Sequence, residues 1–352
     1  MSSKFAKRLL KVRVPFLVLL LISTFISITY SHSKMEPDTK QSGDMPAYKA
    51  LPKNSSISLL SYNLGLIRLG IPFIKKWEFT PFLEERLTVI PSLIRTADAD
   101  IVALQEIYNL EHQNQLIAAL ADIYPYSSKS NIRRPLFLAD GLLVLSKYPI
   151  SDVEFTTFST VPFLERIFVI KGYLSLNIRL NESMILKLVN THLTAGANSH
   201  PESKEADAAR HSEIEELRSL VSLTDETYVF VGDFNTGTRK PDGESRHVSK
   251  TNFDFLLSNG WESAYDQLMV NGKIKNDDWT WDIKNPLNMN SPHATSPSQR
   301  IDHVVLPPKT RHKLSFEDAR IVFQEKVVDI KSEKEKVTAS DHHGLLVVLR
   351  AL

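Results

Sequence analysis

Two hydrophobic periods alternate along the chain. Short apolar runs, dense in Ile, Leu and Val, recur as "SISLLSYN" (56–63), "IVALQE" (101–106), "GLLVLS" (141–146), "IFVIKGYLSLNI" (167–178), "MILKLVNTHL" (184–193), "YVFVGDFN" (228–235), "RIDHVVLP" (300–307) and "GLLVVL" (344–349). Runs of this length, β-branched and flanked by polar residues, predict buried strands. Between them, "FLEERLTVIPSLIRTA" (82–97) and "EADAARHSEIEELRSLVSL" (205–223) predict amphipathic helices. In the second, Ile214, Leu217, Leu220 and Val221 share one face and charged residues the other. No repeat at solenoid periods is present. The alternation predicts one α/β domain over residues 55–352.

Upstream the pattern changes. Residues 14–30, "VPFLVLLLISTFISITY", are almost uninterruptedly apolar behind Lys4, Lys7, Arg8, Lys11 and Arg13. The run exceeds the roughly 7–15 residues of a signal core and only just reaches the roughly 17–25 of a spanning helix. Residues 1–33 therefore predict a signal peptide, with Ser31 and Ser33 as small residues for cleavage, or an N-terminal membrane anchor. Either way the basic flank stays in the cytoplasm, and the rest is expected to be exported: membrane-anchored, periplasmic or secreted. Residues 34–54 are polar and carry Pro37, Pro46 and Pro52, which predicts a linker.

The strands end in unusual residues. Asn63, Glu106, His192, Asp233 with Asn235, Asp302 and the Asp341–His342 pair each sit at a strand terminus, and Asn190 lies two residues before His192. Each has an ordinary reading. Asn63 can close a turn, and Asp233 and Asn235 can form Asx turns. Glu106 can be the first charge of a loop, His192 a hydrogen-bonded core histidine, and Asp302 an exposed partner of Arg300. Repeated at six strand ends, the ordinary readings give way to a shared cleft at one sheet rim.

The residue types then narrow the chemistry. The absence of Cys excludes disulfides, thiolate metal sites and a cysteine nucleophile. No G-x-S-x-G elbow and no Gly-rich phosphate loop occurs. Oxygen donors from Asn63, Glu106 and Asp341 suit Mg²⁺, with Mn²⁺ as the alternative. Two histidines and several carboxylates suit hydrolysis of a phosphate ester. Without residues 1–33 the chain holds 37 basic and 41 acidic residues, a net of −4. That total argues against a nonspecific nucleic-acid binder.

In order, "LLSYN", "DIVALQE", "GLLVLSKYPI", "VNTHL", "VGDFN", "QRIDHV" and "SDHHGL" resemble the motifs of the endonuclease/exonuclease/phosphatase superfamily, which includes deoxyribonuclease I. The resemblance covers residues 56–350. It implies a four-layered α/β sandwich, two mixed β-sheets packed face to face with helices outside. It implies Glu106 as principal metal ligand, with Asn63 and Asp341 in the same network. It further implies His192 at the phosphate or leaving oxygen, Asp233 and Asn235 positioning nucleophile and phosphate, and His342 as general base oriented by Asp302. The division of labour between Asp233 and His342 stays open. "GIPF" (70–73), "THLTA" (191–195) and "DDWTWDIKNPLN" (277–288) are similar to neutral sphingomyelinases, which implies a phospholipid head group as substrate. Gly70 stands farther from Asn63 than that resemblance implies, as a local insertion would place it. A secreted nuclease on the same scaffold and a non-catalytic binding module are the alternatives. Trp279 and Trp281 either pack in the core or, if exposed together, form a membrane or stacking patch. His303 and His343 neighbour site residues but point to the other strand face. Arg133 and Arg134 are either an exposed basic loop or contacts to a phosphate or lipid head group.

Overall fold

The computed structural model describes residues 38–41, 50–52, 55–69, 77–130, 138–196, 204–222, 225–239, 248–275, 278–289, 291, 294, 296–331 and 335–352. The strands are β1 (Asp38–Gln41), β2 (Ser56–Asn63), β3 (Arg68–Leu69), β4 (Trp77–Glu78), β5 (Ile101–Gln105), β6 (Tyr126–Lys129), β7 (Leu143–Ser146), β8 (Ile150–Thr157), β9 (Gly172–Arg179), β10 (Ile185–His192), β11 (Thr227–Arg239), β12 (Glu262–Ser263), β13 (Gln299–Leu306), β14 (Leu314–Val322) and β15 (Gly344–Ala351). The helices are α1 (Leu83–Ala97), α2 (Leu110–Leu120), α3 (Phe163–Phe168), α4 (Lys204–Ser222), α5 (Val248–Leu257) and α6 (Ala264–Val270).

Strand alternation builds four layers. One sheet runs β1-β6-β7-β5-β2-β15-β14, the other β12-β13-β11-β10-β9-β8. Leu59, Ala103, Val144 and Val347 of the first sheet meet Leu176, Leu188, Val229 and Val304 of the second in one buried cluster. Their neighbours Leu60, Val102, Leu145 and Leu346 face the opposite way, under Leu87, Ile90 and Ile94 of α1 and Leu116 and Leu120 of α2. On the far side Val189, Phe230 and Val305 pack under Ile214 and Leu217 of α4 and Phe253 of α5. Residues i and i+1 of a strand face opposite layers, so strands apolar at every position are what two covered faces require. The expected face-to-face sandwich of two mixed sheets, with helices outside, is the fold observed.

Local chemistry sets the ends of the helices. Asn109 caps α2 by accepting the Glu111 N–H at 2.9 Å. Helix α1 opens with Glu84 and Glu85, closes with Arg95, and stops at Asp98 in left-handed conformation.

One predicted strand is corrected. The run from 167 to 178 is not continuous: α3 ends at Phe168 and β9 starts at Gly172. Pro162 supplies a fixed φ of −53° ahead of the helix. Past the helix the backbone is already extended at Val169, with φ −127° and ψ 159°, before β9 begins. The strand predicted to include Glu106 ends at Gln105, and Glu106 takes a φ of 60°. Among the described residues no helix is long and apolar enough to cross a membrane. The apolar run 14–30 lies outside them, as do Gly70–Phe73, Arg133 and Arg134.

Candidate active site

Strand direction gathers the polar ends. β2 pairs parallel with β5, setting Asn63 opposite Gln105, and β10 pairs parallel with β11, setting His192 opposite Asp233. Antiparallel β13 then places Asp302 opposite Asp233. His342 lies just before β15, which runs antiparallel to β2. The C-terminal ends of the parallel pairs and the N-terminal ends of their antiparallel neighbours therefore share one rim. Glu106, one residue past β5, leaves the strand through its positive φ. Its side chain is 14% exposed, while those of His192, Asp233 and Asp302 are at most 3%.

Asp233 is the hub. Its Oδ2 accepts Asn63 Nδ2–H at 2.9 Å and lies 3.6 Å from His192 Nε2 and 3.8 Å from His342 Nε2. His192 Nε2 is also 3.6 Å from Glu106 Oε1. His342 Nδ1 pairs with Asp302 Oδ2 at 2.8 Å. Asp341 is held by Thr80 Oγ1–H at 3.0 Å and Ser340 Oγ–H at 3.1 Å. Gly65, at φ +55°, makes room for it: a Cβ there would meet Asp341 Oδ1 at 2.2 Å. Buried Arg86 donates to the carbonyls of Leu64, Gly65, Thr80, Pro81 and Ala339, tying the loops under Asp341 together.

The electrostatics are dominated by crowded carboxylates. Burial and the charge of Asp341 push the Glu106 carboxyl up to about 7. Burial and Asp302 push Asp233 up to about 6. Burial alone would lower the His342 imidazole, but the charge and hydrogen bond of Asp302, then Asp233 and Asp341, hold it well above its ordinary value. Burial, then Lys171 and His342, hold His192 well below it.

These residues fit a hard divalent cation. Glu106, His192 and Asp233 form one group of atoms within 4.8 Å of one another, and Asp233, Asp302 and His342 a second. His192 Nε2 and Asp302 Oδ1 are buried without hydrogen-bond partners among the described residues. Such orphans at a cluster of carboxylates mark a place for a ligand. The concentrated negative charge raising Glu106 is what a cation relieves, and the donors are chiefly oxygen.

The rim thus brings together Asn63, Glu106, His192, Asp233, Asp302 and His342, with Asp341 beside them. Asn235 adjoins them through Asp233. Its N–H binds Asp233 Oδ1 at 2.8 Å, and its side chain turns to the Leu193 carbonyl at 3.1 Å. Asn190 ties the sheets together beneath the site, accepting from Gln105 Nε2 at 2.8 Å. Arg300 does not pair with Asp302; it reaches Asp266 Oδ1 at 3.0 Å. His303 is packed on Phe253 and bonded to the Thr236 carbonyl, and His343 to the Trp279 carbonyl, both away from the cluster. Trp279 and Trp281 are both buried, so they form no exposed patch; Trp281 bridges to His342.

Several neighbours escaped the sequence reading. Tyr108 Oη lies 3.3 Å from His192 Nδ1. Lys171 pairs with Glu165 at 3.1 Å and donates to the Leu193 carbonyl at 2.9 Å. Glu165 accepts the N–H groups of Ala195 and Gly196, and Glu213 that of Thr194. Together they grip the loop that follows His192. The sequence signal was faint: acids inside helices whose targets are backbone groups elsewhere.

Two face-to-face mixed sheets with a carboxylate–imidazole centre at their shared rim define a metal-dependent phosphoric ester hydrolase. The chain belongs to the endonuclease/exonuclease/phosphatase family, whose family model matches residues 60–342. No curated protein sequence matches it. Sphingomyelinase C from Streptomyces griseocarneus is similar in structure, with a TM-score of 0.57 and 19% identity over 84% of this chain and 99% of that one. Beta toxin from Staphylococcus aureus, in a mutant form with bound magnesium ions, gives 0.58 and 15% over 83% and 99%. Truncated TDP2 from Caenorhabditis elegans gives 0.55 and 16% over 85% and 99%. At these identities the likeness is one of fold.

Proposed function

We propose that the chain is an exported, Mg²⁺-supported phosphodiesterase that releases the head group of a membrane phospholipid, sphingomyelin first among them. The observation that carries the lipid reading is where large apolar side chains meet solvent. Phe79 (44% exposed) adjoins Thr80, which holds Asp341, and Met289 (60%) adjoins Asn288, which donates to the Asp341 carbonyl. Phe163 (48%) and Phe168 (37%) flank Glu165, which grips the loop after His192. Four of the seven large apolar residues exposed among the described residues thus adjoin residues that support the site, the others being Ile185, Val270 and Leu352, and apolar surface there fits a bilayer better than a polyanionic duplex. The net of −4 outside residues 1–33 points the same way, and the fold shared with a sphingomyelinase supports the choice of first substrate.

In this reading Asp302 fixes the His342 ring through Nδ1 and leaves Nε2 facing the site for proton transfer. Asp233, between the two imidazoles, orients the attacking water. His192 meets the phosphoryl group from the other side. Glu106, Asn63 and Asp341 are the residues to hold Mg²⁺, which supplies positive charge against the phosphate and against the field that keeps His342 protonated.

The test is Mg²⁺-dependent turnover of sphingomyelin and phosphatidylcholine liposomes, beside plasmid DNA and single-stranded RNA, at two salt concentrations. Lipid turnover is expected. Salt-sensitive DNA nicking without lipid turnover would move the chain to the nuclease branch. For export, a reporter fused after residue 60 should leave the cytoplasm, and its membrane retention separates anchor from cleaved signal; a cytoplasmic reporter rejects export.

A further inference from the structure

Tyr108 stands two residues past Glu106 and is buried. Its hydroxyl lies 3.3 Å from His192 Nδ1, its partner among the described residues. The ring has a built seat. Ile107 N–H donates to the Gly141 carbonyl at 3.0 Å, and Ala139 N–H to the Tyr108 carbonyl at 3.3 Å. Gly141, at φ +77°, leaves the ring room: a Cβ there would stand 3.0 Å from each of two ring carbons.

The Tyr108 contact places the hydrogen of the His192 ring. A buried phenol whose partner is a ring nitrogen must donate to it, since its own proton otherwise has no acceptor. Nδ1 is then the acceptor, and the neutral imidazole carries its N–H on Nε2.

We propose that Tyr108 is a positioning residue of the hydrolytic centre, locking His192 as the Nε2–H tautomer, so that His192 donates a hydrogen bond to a phosphoryl oxygen and is not a metal ligand. His192 then offers a cation no lone pair at Nε2, in keeping with Glu106, Asn63 and Asp341 as the residues to hold it. The catalytic consequence rests on the hydrolase reading of the site; the tautomer itself does not.

The test is ¹⁵N NMR of histidine-labelled protein with and without Mg²⁺, the His192 signals being assigned by their loss in His192→Gln. Wild type should show a pyridine-like Nδ1 and a pyrrole-like Nε2 in both conditions. In Tyr108→Phe the two shifts should move toward each other as tautomers mix. With bis(p-nitrophenyl) phosphate as probe, kcat of that variant should fall about 10–100-fold with KM nearly unchanged, the range for an outer partner of a site group. A pyrrole-like Nδ1 in wild type, loss of the Nε2 proton on adding Mg²⁺, or a Tyr108→Phe spectrum identical to wild type overturns the proposal. Should Tyr108→Phe not fold, the wild-type spectrum decides alone. Absence of all phosphodiester turnover would sink the hydrolase reading while leaving the tautomer measured.

Discussion

The two sides of the site each present a histidine to the same oxygen of Asp233, at 3.6 Å for His192 and 3.8 Å for His342. They differ on the far nitrogen. His342 meets a carboxylate there at 2.8 Å, and His192 a phenol at 3.3 Å. Both rings are buried, which disfavours charge. On one side Asp302, Asp233 and Asp341 overcome burial and hold the proton; on the other Lys171 and His342 add to burial and expel it. One residue type at nearly the same distance from one carboxylate is thus pushed toward its charged form on one side and its neutral form on the other, according to what stands behind it.

The largest expected effect breaks the charged side. His342→Ala should lower kcat by about 10²–10⁴ with little change in KM, the range for loss of a general acid or base. His343→Ala removes a ring bonded to the Trp279 carbonyl and facing away, so its kinetics should stay near wild type. The reverse ranking would mean that the site is built on the other register of this segment.

Next comes Glu106→Gln, which keeps shape but removes the anionic oxygen. Mg²⁺-supported turnover should fall by roughly 10²–10³, as for loss of one preorganised electrostatic partner. Circular dichroism should be unchanged, because the substitution keeps the volume of a side chain that belongs to none of the apolar core clusters. Wild-type turnover by this variant, or full wild-type turnover in the presence of a chelator, removes Glu106 from the cation site.

The smallest effect tests burial away from the cation. Glu213, which holds Thr194 in the loop after His192, is pushed by burial up to about 7. A carboxyl raised on folding stabilises fully below its unfolded value, and the benefit is lost as pH rises through the folded one. Wild type should therefore lose about 1–3 kcal/mol between pH 4.5 and 8 that Glu213→Gln does not lose. Urea midpoints with parallel pH dependence in the two proteins would show that Glu213 is not held protonated.

Much of this architecture was legible in order along the chain. Strands covered on both faces must be apolar throughout, so β2, β5, β10 and β11 announced themselves, and a polar residue at each end stood out against that background. Asn63, Glu106, His192, Asp233, Asp302 and His342 were found in this way, as residues of one rim. Boundaries were less legible where an apolar run served two periods, as at α3 and β9. What only the tertiary structure decided is who stands behind each of these residues. Tyr108 reads in sequence as one more apolar residue near a strand end; its hydroxyl meets a ring 84 positions later. Glu165, Lys171 and Glu213 read as surface charges, yet are buried on backbone groups of a single loop. Hydrophobic period is a property of neighbours in the chain and fixes which side of a layer a residue faces. The partner of a buried polar atom depends on how two sheets pair and stack, and that pairing brings together residues between which no local pattern runs.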